Sequence, residues 1–309
     1  MASIIFVPSL PSNAWLENFF PGTSAAEMPL AGRRFIDYAF ERAQKLGVLF
    51  TEVIDWRFSE RVAADFSEIT STGYPVFYMK GSGEPPHGLA DLARFQTPLT
   101  QNIEDGLVVV WGLCLTGHLA NDMRLEPIDE SECVETPPGL YQRKDGRWMR
   151  IVPHGFVVRN AMAWYRMNLA VLHNPDVFTL PGYSVEKGVH LGRNVVMERG
   201  TEVKGPVLLQ DNVWCARNVR LDGDVIVGKG SFVSEDAHIA RTIICDDTFI
   251  GPGLELIDKI VAGSHVIDAA TGEWTDIEEP GIARRIGEGG GWLRGLWRFL
   301  QGASHGRRR

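Results

Sequence analysis

The sequence predicts an open α/β sheet over residues 1–175 and a parallel β-helix over 183–268. A glycine hinge and a short amphipathic basic helix follow over 288–309. Three observations predict this. Short apolar runs alternate with helical patterns in the first 175 residues. From Val185 to Ile239 every sixth residue is apolar, in a chain only 44% hydrophobic. A glycine run then leads into WLRGLWRFLQGASHGRRR.

Residues 4–7 (IIFV) read as a buried strand, followed by a Pro-, Ser- and Asn-rich loop to residue 28. In PLAGRRFIDYAFERAQKLGV, Phe35, Ile36, Ala39, Phe40 and Ala43 share one helical face, and Gly47 stands as the C-cap. A strand over 48–54 precedes a helix that Ser59 caps and that runs to Phe66. A strand at 75–79, a short helix at 88–95 and the apolar strand LVVVW at 107–111 come next. Residues 140–151 read as a hairpin turning at Lys144-Asp145-Gly146. A helix over 161–172, with Tyr165, Leu169 and Leu172 on one face, leads through Asn174-Pro175 to the repeats. Strand and helix alternating in this order argue for an open α/β sheet.

A period of six suits neither a helix nor an alternating strand. It suits a solenoid in which each unit supplies one short flat strand and one corner. Val185, Leu191, Met197, Val203, Leu209, Cys215, Leu221, Val227, Val233 and Ile239 are the expected interior plugs. Four positions after each stands a small or β-branched residue, from Val189 to Ile243, and turn-formers such as GRN, QDN and GKG fill the gaps. The phase slips by one at Ile243-Ile244 and resumes at Ile244, Ile250, Leu256 and Ala262.

The net charge of −8 disfavours binding to nucleic-acid phosphates, so no nucleic-acid partner is expected. Cys114, Cys133, Cys215 and Cys245 show no CxxC or Cys/His spacing, which argues against zinc. MASIIFVPSLPSNAW has no basic leader region, and no run of about 18 apolar residues exists, so a cytoplasmic location is expected.

The hexapeptide stretch resembles the left-handed β-helix of hexapeptide-repeat proteins. PLAGRRFIDYAFERAQKLGV resembles the segment after the nucleotide loop of sugar-1-phosphate nucleotidyltransferases, the NDP-sugar pyrophosphorylases, and AMAWYRMNLAVL resembles the helix that closes their catalytic domain. The resemblance implies a Rossmann-like N-terminal domain joined to a left-handed β-helix. It also implies a homo-oligomer, with a trimer favoured, and a sugar nucleotide as ligand. The outward Trp214 and Phe232 add a sequence motive for subunit contact.

That family transfers a nucleotidyl group to a sugar 1-phosphate, a reaction of positioning and charge neutralisation. The resemblance implies four features, and none is found. The loop after the first strand, VPSLPSNAWLENFFPG, has no glycine before Gly22. Alignment on Pro29-Leu30-Ala31-Gly32-Arg33 puts Ala25 at the phosphate-neutralising lysine. Leu113 stands at the first metal aspartate, after Trp111-Gly112, and Val158 at the second. Neither side chain offers oxygen to a Mg²⁺ ion. Asp122 and Asp145 are the substitutes nearest at hand, without a motif around either. No catalytic residue, metal or cofactor is expected. Arg33 and Arg34 are the candidate phosphate contacts, against the plainer reading of solvent-facing charges at a helix start.

An alternative chemistry belongs to the repeats, since some hexapeptide-repeat proteins are acyltransferases that use acyl-CoA and a histidine base. His190, His238 and His265 are the candidates. In the tail, Trp292, Leu293, Leu296, Trp297, Phe299 and Leu300 form an apolar face, with Arg294 and Arg298 opposite. Such a helix is far too short to span a bilayer and suits an anionic membrane surface, or else a cap or partner-docking helix. The protein is thus expected in the cytoplasm, with peripheral contact at the inner face of the membrane. The expected function is a nucleotidyltransferase-like pseudoenzyme that scaffolds or regulates sugar-nucleotide or cell-surface polysaccharide synthesis. The alternatives are an active nucleotidyltransferase with displaced metal ligands and a hexapeptide-repeat acyltransferase.

Overall fold

The computed structural model describes residues 3–287, other than 46, 49, 57–58, 72–75, 82–83, 96, 102, 116–123, 153–155 and 187. The tail residues Trp292, Leu293, Arg294, Leu296, Trp297, Arg298, Phe299 and Leu300 lie outside the described residues, as does Asp122. The chain divides into two units, residues 1–179 and 180–309.

The first unit is built on a seven-stranded mixed sheet. Its strands are β1 (Ser3–Val7), β2 (Phe50–Asp55), β3 (Val76–Lys80), β4 (Val108–Trp111), β6 (Arg124–Pro127), β7 (Gly139–Lys144) and β8 (Arg147–Val152). The short β5 (Cys114–Leu115) and β9 (Phe156–Val157) pair separately. The sheet order is β3-β2-β1-β4-β7-β8-β6. The first four strands run parallel, with Ile4 beside Thr51 and Ile5 beside Val109. The last three are antiparallel additions to β4. Strand order therefore reverses at β1, where open α/β sheets place their ligand crevice, beyond the carboxyl ends of the strands.

Local chemistry explains the elements. Helix α1 (Phe35–Lys45) buries the apolar stripe read in the sequence, Phe35, Ile36, Ala39, Phe40 and Ala43. It ends where Gly47 N–H bonds the Gln44 carbonyl and Val48 N–H bonds the Ala43 carbonyl, a paired closure that needs the left-handed φ of +71° at Gly47. Ser59 caps α2 (Glu60–Ser71), its Oγ accepting from Val62 N–H. Asp145-Gly146 turns the β7–β8 hairpin. Helix α3 (Ala161–His173) is capped by Asn160 and buries Trp164, Tyr165 and Leu172, with Leu169 at its margin. The loop over 8–28 is more ordered than its composition suggests, holding a helical turn at Pro11–Asn13 and another at Leu16–Phe19.

The second unit has three sheets built mainly of parallel strands that recur along the chain, an arrangement compatible with a β-helix. One sheet stacks Val189–Leu191, Val207–Leu209, Val225–Val227, Ile243–Ile244 and Lys259–Ala262. Leu191 lies over Leu209 and Leu209 over Val227, 18 residues apart, which is three units of six. Leu209, Cys215, Leu221, Val227, Val233, Ile239, Ile244 and Ile250 are fully buried in one interior cluster. Corner residues adopt positive φ at Asn194, Asn212, Asn218, Asp236 and Asp247, the residue types that tolerate it best after glycine.

Three positions depart from the expected period. Val185 is 47% exposed, because Tyr183–Glu186 pairs antiparallel with Val189–Leu191 and forms an edge instead of a coil. Met197 is 42% exposed, since its strand is paired on one side only. Beyond Ile239 the spacing drops to 17, as the sequence slip implied, but a second slip follows: Ile244 lies over Val261. Val261, not Ala262, joins the interior cluster. Thr242 is buried two residues before Ile244, and its hydroxyl donates to the Ala240 carbonyl, whereas Ile243 lies outside that cluster. Alternation on a strand dictates this: with Ile244 facing inward, Thr242 must face the same way.

Candidate functional site

The end of β4 carries the turn Trp111-Gly112-Leu113. Gly112 has φ +76°, and a Cβ there would come within 2.9 Å of both Leu10 Cδ1 and Pro138 Cβ, so glycine is required. Leu113 and Val158 are both fully buried. The structure brings these two positions together: Val158 N–H donates to the Leu113 carbonyl at 2.8 Å. Cys114 faces Val157 in the antiparallel β5–β9 pair, so Leu113 and Val158 are the next opposed pair and share a face. The backbone thus sets side by side the two positions where the family resemblance asks for metal-binding aspartates. Their side chains are aliphatic and do not fit a Mg²⁺ ion, which takes oxygen ligands. Among the described residues no group of three or more His, Cys, Asp or Glu side chains is placed to share a metal. Asp145 sits in the β7–β8 hairpin turn, away from this pair in the sheet order.

The residues that follow β1 and β2 line a half-open cavity of about 210 Å³. Ser9, Leu10, Asn13, Leu16, Ala25 and Trp56 line it. Ala25 is buried, so the position of the expected lysine is a wall of the cavity without charge. Ser9 Oγ donates to the buried Asp55 carboxylate, and Tyr78 OH donates to the other Asp55 oxygen at 3.1 Å. Burial and then the Asp55 charge push the Tyr78 phenol upward, so it stays a donor at neutral pH. Asp55 therefore braces the floor of the cavity. Sequence reasoning missed it, because a lone aspartate at a strand end has no motif.

Arg33 and Arg34 lie in a two-residue strand just before α1. Arg33 Nη1 meets Glu41 Oε2 at 2.6 Å and donates to the Thr179 carbonyl at 2.9 Å. Arg34 is held by Asp37 at 2.7 Å and Asp65 at 2.6 Å. Burial lowers the Arg34 pKa and these two carboxylates outweigh it, for a net rise. Both guanidinium groups are thus part-buried and engaged by acidic side chains. The adjoining turn is pinned by α3: Ala31, at φ +40°, donates its N–H to Asn168 Oδ1 at 2.7 Å, and Trp164 Nε1 donates to the Pro29 carbonyl. A non-glycine residue at positive φ is held only when its surroundings over-determine it, and Asn168 supplies that hold.

In the second unit, His238 Nε2 lies 2.9 Å from Asp222 Oδ2 and Nδ1 lies 3.2 Å from Glu255 Oε1. Both ring nitrogens are thus directed at carboxylates of neighbouring strands. His190 is half-buried, which lowers its pKa. His265 bonds Asp276 through Nδ1 and stacks on Trp274, ring centroids 5.1 Å apart. Trp214 and Phe232 stack at 6.3 Å, Phe232 and Phe249 at 5.8 Å, and the Arg284 guanidinium covers Phe249 at 5.3 Å.

No protein-family model matches the chain. Two curated proteins match parts of it. A UTP–glucose-1-phosphate uridylyltransferase from Synechocystis sp. is 29% identical over 100 residues, which is 32% of this chain and 26% of that protein. A 2,3,4,5-tetrahydropyridine-2,6-dicarboxylate N-succinyltransferase from Caulobacter vibrioides is 32% identical over 95 residues, 27% of this chain and 33% of that protein. The chain spans about a quarter to a third of the length of these relatives. The two matches fit a distant relationship to nucleotidyltransferases and hexapeptide-repeat acyltransferases. Among the described residues, no helix is long and apolar enough to cross a membrane.

Proposed function

We propose that this chain is a sugar-1-phosphate nucleotidyltransferase-like pseudoenzyme, with a Rossmann-like domain and a left-handed β-helix, that scaffolds or regulates sugar-nucleotide or cell-surface polysaccharide synthesis. The observation that carries the reading is the opposed Leu113–Val158 pair. The frame that would present two carboxylates to a metal is in place, and both side chains on it are aliphatic. Ala25 in the cavity wall removes the cation that would neutralise a phosphate. The paired state of Arg33 and Arg34 agrees: a phosphate would have to displace Glu41, Asp37 and Asp65 from them. The pathway rests on the match to the uridylyltransferase.

The deciding assay is pyrophosphate release from each NTP with a panel of sugar 1-phosphates, in Mg²⁺ and in Mn²⁺. No turnover above the no-protein rate is expected. Robust metal-dependent release would restore the active-enzyme reading. The match to the succinyltransferase supports a second reading, acyl transfer from acyl-CoA at the repeats. Both His238 ring nitrogens are directed at carboxylates, and saturable acyl-CoA binding would support this second reading.

We also propose self-association through the aromatic row, favouring a trimer, and attachment of residues 288–309 to an anionic membrane surface. Trp214 and Phe232 support the first, as large apolar groups left part-exposed. The composition of the tail supports the second.

A further inference from the structure

The sheet that stacks Val189–Leu191 through Lys259–Ala262 has an outer face as well as an inner one. Side chains alternate across a strand, so residues next to the inward ones point away from the solenoid core. Leu208 stands between the inward Val207 and Leu209, and Ile226 between Val225 and Val227. Ile243 and Ile260 each precede an inward residue, Ile244 and Val261. Ile267, opposite Ile260 in the antiparallel strand His265–Asp268, continues the row. Strand pairing sets the five in register. A row of large aliphatic side chains on an outer face needs a cover, and this row has one, since all five are at most 2% exposed. The cover stops at both ends of the row. His190, opposite Leu208, is half-buried, and Trp274, opposite Ile267, is 47% exposed. The covered length is four strand spacings, about 19 Å.

The described chain ends at the border of this face. Ile286 N–H donates to the Asp247 carbonyl at 2.6 Å, three residues beyond the inward Ile244. A Cβ on Gly263, the residue after Ala262, would come within 3.1 Å of Arg285 Cβ. Both contacts lie just past the carboxyl ends of strands of this sheet. Residues 288–309 start from there, behind Gly287, Gly289, Gly290 and Gly291, which reverse direction without steric penalty. Extended, residues 287–291 reach about 17 Å, more than the length of a three-residue strand. As a helix, residues 292–300 measure about 14 Å and fit within the covered length. Their apolar face, from Trp292 to Leu300, matches an uncharged row, and Arg294 and Arg298 opposite it stay in water.

We propose that residues 292–300 dock in cis on the row Leu208–Ile226–Ile243–Ile260–Ile267, with the glycine run as hinge. The tail then has two mutually exclusive partners, because the side chains that cover the row are those that would enter a membrane surface. Docking holds them away from lipid, and their release uncovers five aliphatic side chains. The proposal concerns the same tail as the membrane reading and does not depend on it, since docking is tested without lipid.

The test compares the full chain, a chain ending at Gly287, and the full chain carrying Leu296→Asp with Trp297→Asp. Emission of the apolar dye anilinonaphthalene sulfonate and thermal melting are the readouts. Uncovering the row should raise dye emission severalfold and lower the Tm in both altered proteins. A synthetic peptide of residues 288–309 should return the truncated chain to the values of the full chain, and the same peptide with both aspartates should not. Benzoylphenylalanine in place of Trp297 in the full chain should cross-link on illumination to residues 207–209, 225–227, 243–244 or 259–262 of the same chain. Unchanged emission and melting in the double variant would overturn the proposal even if the truncated chain fails to fold, and so would cross-links outside these strands. A cross-linked dimer on a denaturing gel would put the tail on a second copy and overturn docking in cis. Vesicle co-sedimentation is read separately, so failure of either reading leaves the other standing.

Discussion

If Leu113 and Val158 occupy a metal-binding frame emptied of its ligands, carboxylates placed there should interact with each other and with a cation. Leu113→Asp and Val158→Asp each replace a fully buried aliphatic group, at a cost of about 4 kcal/mol from lost packing and a poorly solvated carboxyl. Opposed residues on one face of an antiparallel pair have Cβ atoms about 4.5–5.5 Å apart, and carboxylates carried on them can sit at about the upper end of that range. Two carboxylates at that distance repel by about 3 kcal/mol at an effective dielectric near 20. The double variant in EDTA should therefore be less stable than the two singles added together, by up to that amount. Mn²⁺ at about a hundred times its Kd should return about 2.7 kcal/mol to the double variant and little to either single. Urea denaturation of the four proteins, with and without Mn²⁺, closes the double-mutant cycle. A coupling below about 0.5 kcal/mol in EDTA that Mn²⁺ leaves unchanged would show that the two side chains do not converge, and would remove the main support for the pseudoenzyme reading.

Burial pushes the Glu41 carboxyl upward, but hydrogen bonds from Lys45, Thr179 and Arg33 outweigh it and hold the pKa down at about 2. A folded value below the ordinary 4.5 stabilises fully above that pH, and the contribution is lost as pH falls through about 2. After allowance for partial exposure, Glu41→Gln should cost about 2 kcal/mol at pH 7, and the difference from wild type should close near pH 2 in acid-dependent melts. Phe232→Glu puts a charge into the aromatic row; light scattering should show an oligomer for the wild type and a smaller species for the variant. A monomeric wild type at micromolar concentration would count against self-association there. The full chain should co-sediment with anionic vesicles in low salt and a chain ending at Gly287 should not; if both stay in the supernatant, residues 288–309 do not carry membrane binding.

The repeat was legible because its signal is one-dimensional. A plug every sixth residue needs no knowledge of distant contacts, and the same holds for the Gly47 closure, the Ser59 cap and the Asp145-Gly146 turn. The errors fell where a neighbour decides. Val185 kept the period but lies on an antiparallel edge, and pairing is not written in the spacing of one segment. Ala262 fitted the period as well as Val261, and only the pairing with Ile244 chose between them. In the first unit, alignment to the family's motifs singled out Ala25, Leu113 and Val158 as losses. That Val158 meets Leu113 required the fold, since 45 residues separate them. Asp55 was illegible for another reason: what matters about it is which hydrogen bonds it makes.

The two five-residue steps, Ile239 to Ile244 and Leu256 to Val261, show where this architecture stores its tolerance to length change. A residue lost at a corner leaves the inward row continuous, with Ile244 beneath Val227 and Val261 beneath Ile244. Deletion of one residue at such a corner should be nearly silent for stability. The same loss inside a strand would turn an isoleucine to the outside. Corners are therefore the natural insertion points for a reporter peptide or an added loop, the one at Arg241, with φ +43°, among them.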